Sequence, residues 1–311
     1  MSIKGKYMIY DVIIIGAGPA GLTAGIYAKR ACLNLLVLQD KYSVGSQICN
    51  TYEVCNYPGF NKISGQDLYD NFKKHAEELM VPIKSEKVIE VTDIYLDVKK
   101  VVTNNETYET KAVILATGAS PKACGFEGEN EFVGRGVSYC ATCDGAFYKD
   151  KVVAVIGGGD VAVEDAIFMS RIANKVYLIV RRDEMRATRI LQEEVKKLTN
   201  VEILYETQVE SIIGDDKIEG ALIRKKGDVI PSELSIDAIF VGIGVNPETT
   251  LLKEKVVMDG AYIKADETCA TSVKGIYVVG DARRKQLRQL ITACADGANA
   301  ITSVQRYLTE K

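Results

Sequence analysis

The sequence has no excess of charge of either sign, and this absence excludes several classes of function. Its 311 residues carry 39 Lys and Arg against 42 Asp and Glu, a formal net charge of −3. Proteins that bind nucleic acids or anionic membrane surfaces need a basic field, so we expect neither partner. No apolar run approaches the roughly 18 residues of a membrane-spanning helix. The first apolar stretch runs directly into a glycine motif, so we expect no signal peptide and a cytoplasmic protein.

Metal ligands and paired cysteines are also scarce. The chain has one histidine and eight cysteines, of which only one pair is close in sequence. We therefore predict neither a zinc site nor a disulfide scaffold. Cys32 and Cys294 lie on predicted helices, and we expect both to be buried. Cys294 belongs to the apolar stripe of a predicted C-terminal helix, which consists of Leu290, Cys294, Gly297, Ile301, Val304 and Leu308. His75 lies beside the apolar stripe of another predicted helix, and we assign it no catalytic role.

What the sequence does contain is an approximate internal repeat. The runs Tyr10–Ile15 and Lys151–Ile156 are short and apolar, as buried strands are. Each is followed by a glycine-rich turn, a helical stretch and a second apolar strand, at 35–38 and 176–180 respectively. This order predicts two βαβ units of the kind that bind dinucleotides.

The two glycine turns have the spacing that brings backbone close to a pyrophosphate. The first turn reads Gly16-Ala-Gly18-Pro-Ala-Gly21, and the second reads Gly157-Gly-Gly159-Asp-Val-Ala162. Glycines allow a tight turn, close approach of the phosphate and close helix–strand packing, while the helix N-terminus attracts the negative charge. The alternative is that both are only tight strand–helix turns.

Residues of opposite charge follow the second strand of each unit. Asp40 lies 24 positions after Gly16, and Arg181 lies 24 positions after Gly157, followed by Arg182 and Arg186. An acid at this place accepts hydrogen bonds from a ribose diol, whereas arginines match the geometry of a 2′-phosphate. The first unit should therefore bind an unphosphorylated adenosine nucleotide, and the second should prefer NADP to NAD. Alternatively, the arginines form a solvated basic face.

Alternation of strands and helices predicts an α/β fold with parallel sheets covered by helices. We expect two Rossmann-like, three-layer nucleotide-binding domains, one inserted into the other. Turn-forming residues at Gly118–Pro121 and Gly242–Pro247 mark the two crossings. The predicted limits are 1–118 and 246–311 for the outer domain and 119–245 for the inserted one.

One cysteine pair has the pattern of a redox dithiol. Cys140 and Cys143 are three positions apart, and Asp144 follows at once. In such a pair one thiol has a lowered pKa, its thiolate attacks a disulfide, and the partner thiol resolves the mixed disulfide. Asp144 is placed to transfer the proton of this exchange. Half of a zinc site and buried core thiols are the alternatives.

Taken together, these motifs resemble the low-molecular-weight, bacterial-type thioredoxin reductases of the pyridine nucleotide-disulfide oxidoreductase family, over essentially the whole chain. The motifs that carry the resemblance are Gly16–Gly21, Asn56-Tyr-Pro-Gly59, Ala116-Thr-Gly118, Cys140-Ala-Thr-Cys-Asp144, Gly157–Gly159, Arg181–Arg186, Gly280-Asp281 and Arg288-Gln289.

The resemblance implies an NADPH-dependent flavoenzyme that reduces the disulfide of thioredoxin, with FAD in the outer domain, NADPH in the inserted domain, and a homodimer. It also implies that the inserted domain rotates about the crossings between two states. Cys143 would face the flavin, Cys140 would attack thioredoxin, and Asp144 would be the acid and base. The implied FAD-binding residues are Gly16, Gly18, Pro19, Ala20, Gly21, Asp40, Lys41, Gly45, Ser46, Gln47, Asn56, Val88, Thr117, Gly118, Gly280, Asp281, Arg288 and Gln289. Those for NADPH are Gly157, Gly158, Gly159, Asp160, Arg181, Arg182 and Arg186.

The sequence departs from the common family pattern in four places. Val180 stands where many members have His before the arginine pair, although the arginines remain. Cys55 replaces an acid, and Ser46 replaces a glycine near the flavin. Asp160 replaces an Asn after the triple glycine, where we expect it to act as a helix N-cap while bringing negative charge towards the pyrophosphate.

Three other functions are compatible with parts of the pattern. The chain would reduce a different protein disulfide, or resemble a ferredoxin-fed branch of the family that lacks the nucleotide motifs. In a different class, it would be a non-catalytic flavin-binding redox sensor whose dithiol switches a partner's binding. A sensor needs no site for a 2′-phosphate.

Overall fold

The structure, a computed structural model, describes residues 8–40, 47–51, 54 and 56–310. The chain separates into two compact units. The first comprises Met1–Cys49, Gly65–Ser120 and Asn246–Lys311, and the second comprises Asn50–Ser64 and Pro121–Val245. Both unit boundaries fall inside the predicted crossings. The segment Asn50–Ser64 groups with the second unit, whereas the predicted limits assign it to the outer domain.

The first unit is built on a seven-stranded sheet whose continuous order is β3-β2-β1-β6-β5-β4, with β19 also paired to β6. Strands β3, β2, β1, β6 and β19 are parallel, while β4 and β5 are antiparallel additions. The strands of this unit are β1 (Ile9–Ile15), β2 (Leu35–Gln39), β3 (Ile83–Ser85), β4 (Val88–Thr92), β5 (Lys99–Thr103), β6 (Thr107–Leu115), β17 (Met258–Asp259), β18 (Tyr262–Ile263) and β19 (Ile276–Val278). Its helices are α1 (Pro19–Arg30), α2 (Gly65–Glu78) and α6 (Leu290–Thr309).

Both faces of this parallel sheet are covered, which explains why its strands read as continuous apolar runs. Val12 through Ile15 of β1 are all buried. Ile13 and Ile15 belong to a core cluster that includes Val91 and Val101 from the antiparallel strands. Pro19 occupies the first turn of α1, where its missing N–H costs no hydrogen bond.

Helix α6 packs directly on α1 through a glycine. A β-carbon at Gly297 would lie 2.3 Å from the carbonyl oxygen of Ala20 and 2.9 Å from the amide nitrogen of Ala24. Cys294, Ile301 and Val304 on the same helix are buried, as the apolar stripe predicts. Only glycine permits this close approach.

Replacing Gly297 with alanine is therefore expected to lower the free energy of unfolding by about 2 kcal/mol. Alanine gains up to about 1 kcal/mol in helix propensity, but its methyl group overlaps backbone atoms that cannot rotate away. Urea unfolding measures the change. Asn299→Ala on the exposed face of α6 is the control and should not destabilise the protein. Equal stability of Gly297→Ala and the wild type would contradict the packing described.

The second unit has a five-stranded parallel sheet of order β11-β10-β9-β15-β8 and a three-stranded antiparallel sheet of order β12-β13-β14. Its strands are β8 (Val137–Ser138), β9 (Val152–Ile156), β10 (Lys175–Val180), β11 (Val201–Tyr205), β12 (Thr207–Gly214), β13 (Ile218–Lys225), β14 (Ser232–Leu234) and β15 (Ala238–Val241). Its helices are α3 (Ala141–Asp144), α4 (Asp160–Ser170) and α5 (Arg189–Val195). One core cluster joins the parallel sheet to the helices, and another joins it to the antiparallel sheet. The unit therefore has three layers.

The two crossings are short strands that pair with each other. They are β7 (Ala119–Pro121) and β16 (Val245–Pro247). On one side the amide of Lys122 donates to the carbonyl of Gly244 over 3.0 Å, and on the other the amide of Glu248 donates to Gly118 over 2.9 Å. The turn-forming residues of the predicted crossings therefore lie in and beside this pair of strands.

Two local predictions were wrong or incomplete. Cys32 is exposed, because α1 ends at Arg30 and Cys32 takes a left-handed backbone (φ 55°) that turns its side chain outward. Cys294 is buried, as predicted. The sequence predicts strands near 201–205, 218–226 and 236–241, which are β11, β13 and β15, but it does not predict β12 and β14. Among the described residues, no helix is both long and apolar enough to span a bilayer.

Candidate active site

The first glycine turn lies at the carboxyl edge of the parallel strands in the first unit. Ile15 at the end of β1 is in register with Leu38 of β2 and Leu115 of β6, and Leu115 is in register with Val278 of β19. The segments that follow these strands therefore meet at one edge. They contain the predicted residues Gly16–Gly21, Asp40, Thr117, Gly118, Gly280 and Asp281.

Close backbone packing at this edge accounts for two of the glycines. Gly16 has φ +110°, and a β-carbon there would lie 2.4 Å from the carbonyl oxygen of Ala116. A β-carbon at Gly21 would lie 1.9 Å from the carbonyl oxygen of Gly16. The turn is thus folded tightly against the end of β6, and Gly18 starts α1 with its N-terminus at this edge.

Buried polar atoms without partners mark part of the same edge. Asp281 Oδ1, Arg288 Nε and Arg288 Nη2 have no hydrogen-bond partner within the described part of the chain. Burial raises the pKa of Asp281, against the lowering effect of the charges of Lys285 and Arg288. The Arg288 guanidinium lies 4.1 Å from the centre of the Tyr262 ring. Groups like these are costly to bury unpaired, so they indicate a ligand that completes their hydrogen bonds.

A buried ionic cluster that sequence reasoning missed holds the Gly280–Asp281 segment. Asp296 on α6 is 2% exposed, and its Oδ2 accepts from the Gly280 amide at 2.9 Å. The same carboxylate accepts from Arg283 at 2.8 and 3.2 Å and from Lys285 at 2.7 Å. A charged residue beside the apolar stripe of α6 was the available signal.

The remaining predicted residues of the outer domain differ in their surroundings. Asp40 follows β2 and forms an ion pair with Lys87 at 3.8 Å, next to Val88 at the start of β4. The Gln47 side chain donates to the carbonyl of Ala119, and the Thr117 hydroxyl donates to the carbonyl of Glu248. Gln289 is the N-cap of α6 and forms a capping box with Thr292. Asn56 is exposed in the segment that groups with the second unit, whereas Lys41, Gly45, Ser46 and Cys55 lie outside the described residues.

The second glycine turn lines a cleft in the second unit. Gly157 has φ +141°, and a β-carbon there would lie 2.7 Å from Ala162 Cβ and 2.8 Å from the Gly242 carbonyl oxygen. Gly159 is the N-cap of α4. Apart from its chain neighbours, no heavy atom of the described residues lies within 4 Å of its β-carbon position, so backbone is open to a ligand there. The cleft is lined by Gly157, Gly158, Gly159, Asp160, Val161, Arg186, Gly242, Ile243 and Gly244.

The predicted arginines lie on a loop after β10 that is anchored beside this cleft. The Gly158 carbonyl accepts from the amides of Arg186 at 2.6 Å and Ala187 at 3.0 Å. Arg186 lines the cleft, while Arg181 and Arg182 are exposed at the start of the loop. Because β9 and β10 are parallel neighbours, the loop and the glycine turn share the carboxyl edge of the sheet.

The N-cap prediction for Asp160 was wrong. Gly159 is the N-cap of α4, and Asp160 is the first residue of the helix. Its carboxylate instead accepts from the amide of Thr188 at 2.7 Å, so it anchors the far end of the arginine loop.

Cys140 and Cys143 form a disulfide at the start of the short helix α3. Both are half-buried, and their α-carbons are 5.3 Å apart. Asp144 is the last residue of α3. Its Oδ2 accepts from the Ser138 hydroxyl at 2.6 Å, and its Oδ1 is buried with no partner among the described residues. Burial raises the pKa of Asp144, and the hydrogen bond from Ser138 lowers it. Over the same residues, no group of three or more His, Cys, Asp and Glu is arranged to hold a metal ion.

Comparison with known proteins agrees with this architecture. Residues 10–297 match the pyridine nucleotide-disulphide oxidoreductase family. The chain is 42% identical to thioredoxin reductase of Listeria monocytogenes over 304 residues, which cover 97% of this chain and 95% of that protein. A thioredoxin reductase structure from Streptococcus pyogenes is similar with a TM-score of 0.93 and 38% identity, over 97% of this chain and 99% of that one. One from Giardia duodenalis has a TM-score of 0.90 and 36% identity, over 96% and 98%.

A glycine-lined cleft of the nucleotide-binding type and a disulfide in the same unit define a class of redox proteins in which a nucleotide and a cysteine pair act together. The chain belongs to the pyridine nucleotide-disulphide oxidoreductase family. The resemblance stated from the sequence motifs is confirmed, as is the fold class of two Rossmann-like domains with one inserted into the other. The protein is therefore an oxidoreductase.

Proposed function

We propose that this protein is an NADPH-dependent thioredoxin reductase that uses FAD and the Cys140–Cys143 dithiol. The observation that carries the proposal is the disulfide in the second unit, next to the half-buried carboxyl of Asp144 and in the same unit as a glycine-lined cleft with an arginine loop. The names of the similar proteins support thioredoxin as the substrate.

The first unit fits FAD. The unpartnered atoms of Asp281 and Arg288 suit the ribityl hydroxyls and the pyrimidine edge of a flavin, and the N-terminus of α6 adds a positive field that stabilises negative charge there. Asp40 suits the ribose of the adenosine half, beside Val88. The residues proposed to bind FAD are Gly16, Gly18, Pro19, Ala20, Gly21, Asp40, Lys41, Gly45, Ser46, Gln47, Asn56, Val88, Thr117, Gly118, Gly280, Asp281, Arg288 and Gln289.

The second unit fits NADPH. Its glycine-lined cleft at the start of α4 suits a pyrophosphate, and the arginine loop suits a 2′-phosphate. The residues proposed to bind NADPH are Gly157, Gly158, Gly159, Asp160, Arg181, Arg182 and Arg186. The negative charge of Asp160 at the cleft weakens attraction for the pyrophosphate, while its bond to Thr188 keeps the arginine loop in place.

The cysteine pair reduces the disulfide of thioredoxin. Bound FAD would supply the chemistry that couples hydride transfer from NADPH to two-electron reduction of the disulfide. The Cys140 thiolate then attacks the disulfide of thioredoxin, and Cys143 displaces the reduced thioredoxin by re-forming the Cys140–Cys143 bond. Asp144 transfers protons to and from these sulfurs, because burial raises its pKa and the carboxyl holds a proton more readily than an exposed aspartate does.

The dithiol and the nicotinamide site belong to the same inserted domain, and both require the flavin. We propose that this domain rotates about the crossings β7 and β16 to present each in turn, since a few residues at such crossings absorb domain motions. The proposed domain limits are 1–118 and 246–311 for FAD and 119–245 for NADPH. A cytoplasmic homodimer is proposed on the family resemblance.

An anaerobic titration of the purified protein tests the proposal. NADPH should bleach the flavin absorbance within about a second, NADH should do so far less efficiently, and added thioredoxin should then be reduced. If neither nucleotide bleaches the flavin, a ferredoxin-fed enzyme or a redox sensor replaces the proposal. If NADPH bleaches it but thioredoxin stays oxidised, the enzyme reduces a different protein disulfide.

A further inference from the structure

Ser138 connects the acid of the proposed site to the backbone of the redox cysteines. It ends strand β8 and is 5% exposed. Its hydroxyl lies 2.6 Å from Asp144 Oδ2 and accepts from the Cys140 amide at 3.1 Å. A serine hydroxyl has one proton to donate, and the short contact to the carboxylate is the stronger of its two donor contacts, since the Cys140 carbonyl is 3.3 Å away.

This arrangement makes the two oxygens of Asp144 unequal. Oδ2 accepts the hydrogen bond from the Ser138 hydroxyl, and the unprotonated oxygen of a carboxyl group is a better acceptor than the protonated one. Oδ1 is buried and has no hydrogen-bond partner in the described part of the structure. A protonated Asp144 therefore carries its proton on Oδ1, and the orientation of the carboxyl group is set by Ser138.

We propose that Ser138 is a positioning residue for proton transfer at the dithiol, because its hydroxyl holds the Asp144 carboxyl with Oδ1 as the oxygen that gives and takes the proton. The inference rests on the proposed function for the role of the dithiol. The hydrogen bonds of the serine hydroxyl run to the Asp144 carboxyl and to the Cys140 backbone, so it acts through these groups.

The proton balance of the reaction shows what Oδ1 would transfer. Two electrons break the Cys140–Cys143 bond and leave two thiolates, and two protons convert them to thiols. The hydride of NADPH accounts for the electron pair and one proton, and solvent supplies the other. In the exchange with thioredoxin the same two protons leave the cysteines and reach the two sulfurs of thioredoxin. Oδ1 is the atom through which one of them passes in each direction.

Other titratable groups surround the acid and enter the design of the test. Tyr148, on the turn after α3, has a pKa raised to about 12 by burial and by the charges of Asp144 and Asp237. Asp237 forms an ion pair with Lys151 at 3.4 Å. Helix α4 packs against α3 and carries Glu164 and Asp165, and burial raises the pKa of Asp165 to about 7. Asp165 is therefore a second acid with a raised pKa on the neighbouring helix, and it needs its own control.

The test follows reduction of the Cys140–Cys143 disulfide by dithiothreitol as a function of pH, with thiol labelling of the two cysteines resolved by mass spectrometry. Ser138→Ala should slow reduction by about tenfold, a part of the factor that a positioned acid contributes. The pH profile of the reduction rate should also shift to higher pH. The hydrogen bond from Ser138 lowers the pKa of Asp144, so without the hydroxyl this acid stays protonated at higher pH. Comparing rates with the wild type at each pH cancels the ionisation of dithiothreitol itself.

Two further variants separate positioning from a general structural effect. In an Asp144→Asn background, Ser138→Ala should have no additional effect, because the group through which it acts is gone. The Ser138→Ala shift should persist in an Asp165→Asn background. An unchanged pH profile for Ser138→Ala, or equal effects of Ser138→Ala with and without Asp144, overturns the proposal. Dithiothreitol reduces the disulfide directly, so this test needs neither NADPH nor thioredoxin. A failure of the proposed function is detected by the NADPH titration, and a failure of the inference about Ser138 is detected here.

Discussion

Replacing Cys140 with serine is expected to lower thioredoxin turnover by about 10³-fold or more, while NADPH still bleaches the flavin at its normal rate. A serine hydroxyl is not ionised at neutral pH and cannot form the mixed disulfide, so the exchange has no nucleophile. The proposed FAD and NADPH residues are untouched by the change. Stopped-flow flavin absorbance measures the first half of the reaction, and steady-state thioredoxin reduction measures the second.

Cys143→Ser provides the complementary result. Without Cys143, nothing resolves the bond between Cys140 and thioredoxin, so the covalent adduct should accumulate and be visible by mass spectrometry. Cys124→Ser is the matched control, since Cys124 is an exposed free cysteine of the same unit, and it should leave turnover unchanged. Accumulation of the adduct with Cys140→Ser instead would reverse the proposed roles of the two cysteines.

Replacing Arg181 and Arg182 together with alanine should reduce kcat/KM for NADPH by about 10²- to 10³-fold and leave that for NADH nearly unchanged. Each charged hydrogen bond to a phosphate contributes about 1.5–3 kcal/mol, and about 1.4 kcal/mol corresponds to a factor of ten. Both side chains are exposed, which favours the lower part of the energy range. Initial-rate kinetics with each nucleotide measure the selectivity.

The structure indicates that these substitutions will not disorder the loop. Met185 and Ala187 are buried, and the Gln192 side chain donates to both of their carbonyls, at 3.2 and 2.7 Å. Arg171→Ala is the control, because Arg171 is an exposed arginine of the same unit at the opposite end of α4. Equal losses of kcat/KM with NADPH and NADH would show that the arginines do not bind the 2′-phosphate and only form a basic surface.

The prediction of secondary structure succeeded where local pattern decides conformation. The strands before both glycine turns agree with the sequence prediction to within one residue, because a short apolar run between turn formers has few alternatives. The long stripe of α6 was equally clear, and the helix runs from Leu290 to Thr309. Strand β12 was not predicted. Its residues are mostly half-buried and its pairing with β13 contains register shifts, so buried and exposed residues do not alternate clearly along it.

The sequence by itself determined the motifs: two glycine turns, an acid and an arginine pair at equal spacing from them, and a cysteine pair followed by an acid. These motifs depend on neighbours within one βαβ unit or one helical turn. Residues so close in sequence determine the local geometry and chemistry directly. The same holds for the family resemblance, which consists of these motifs.

Only the tertiary structure decided which polar groups complete the site. Asp296 reaches the Gly280 amide from 16 positions away, and Ser138 rather than a neighbour in α3 holds the Asp144 carboxyl. It also decided that Asp160 anchors the arginine loop through Thr188 instead of capping its own helix. A buried polar group takes whatever partner the packed elements bring within hydrogen-bond distance, and that partner is set by the three-dimensional arrangement of segments distant in sequence.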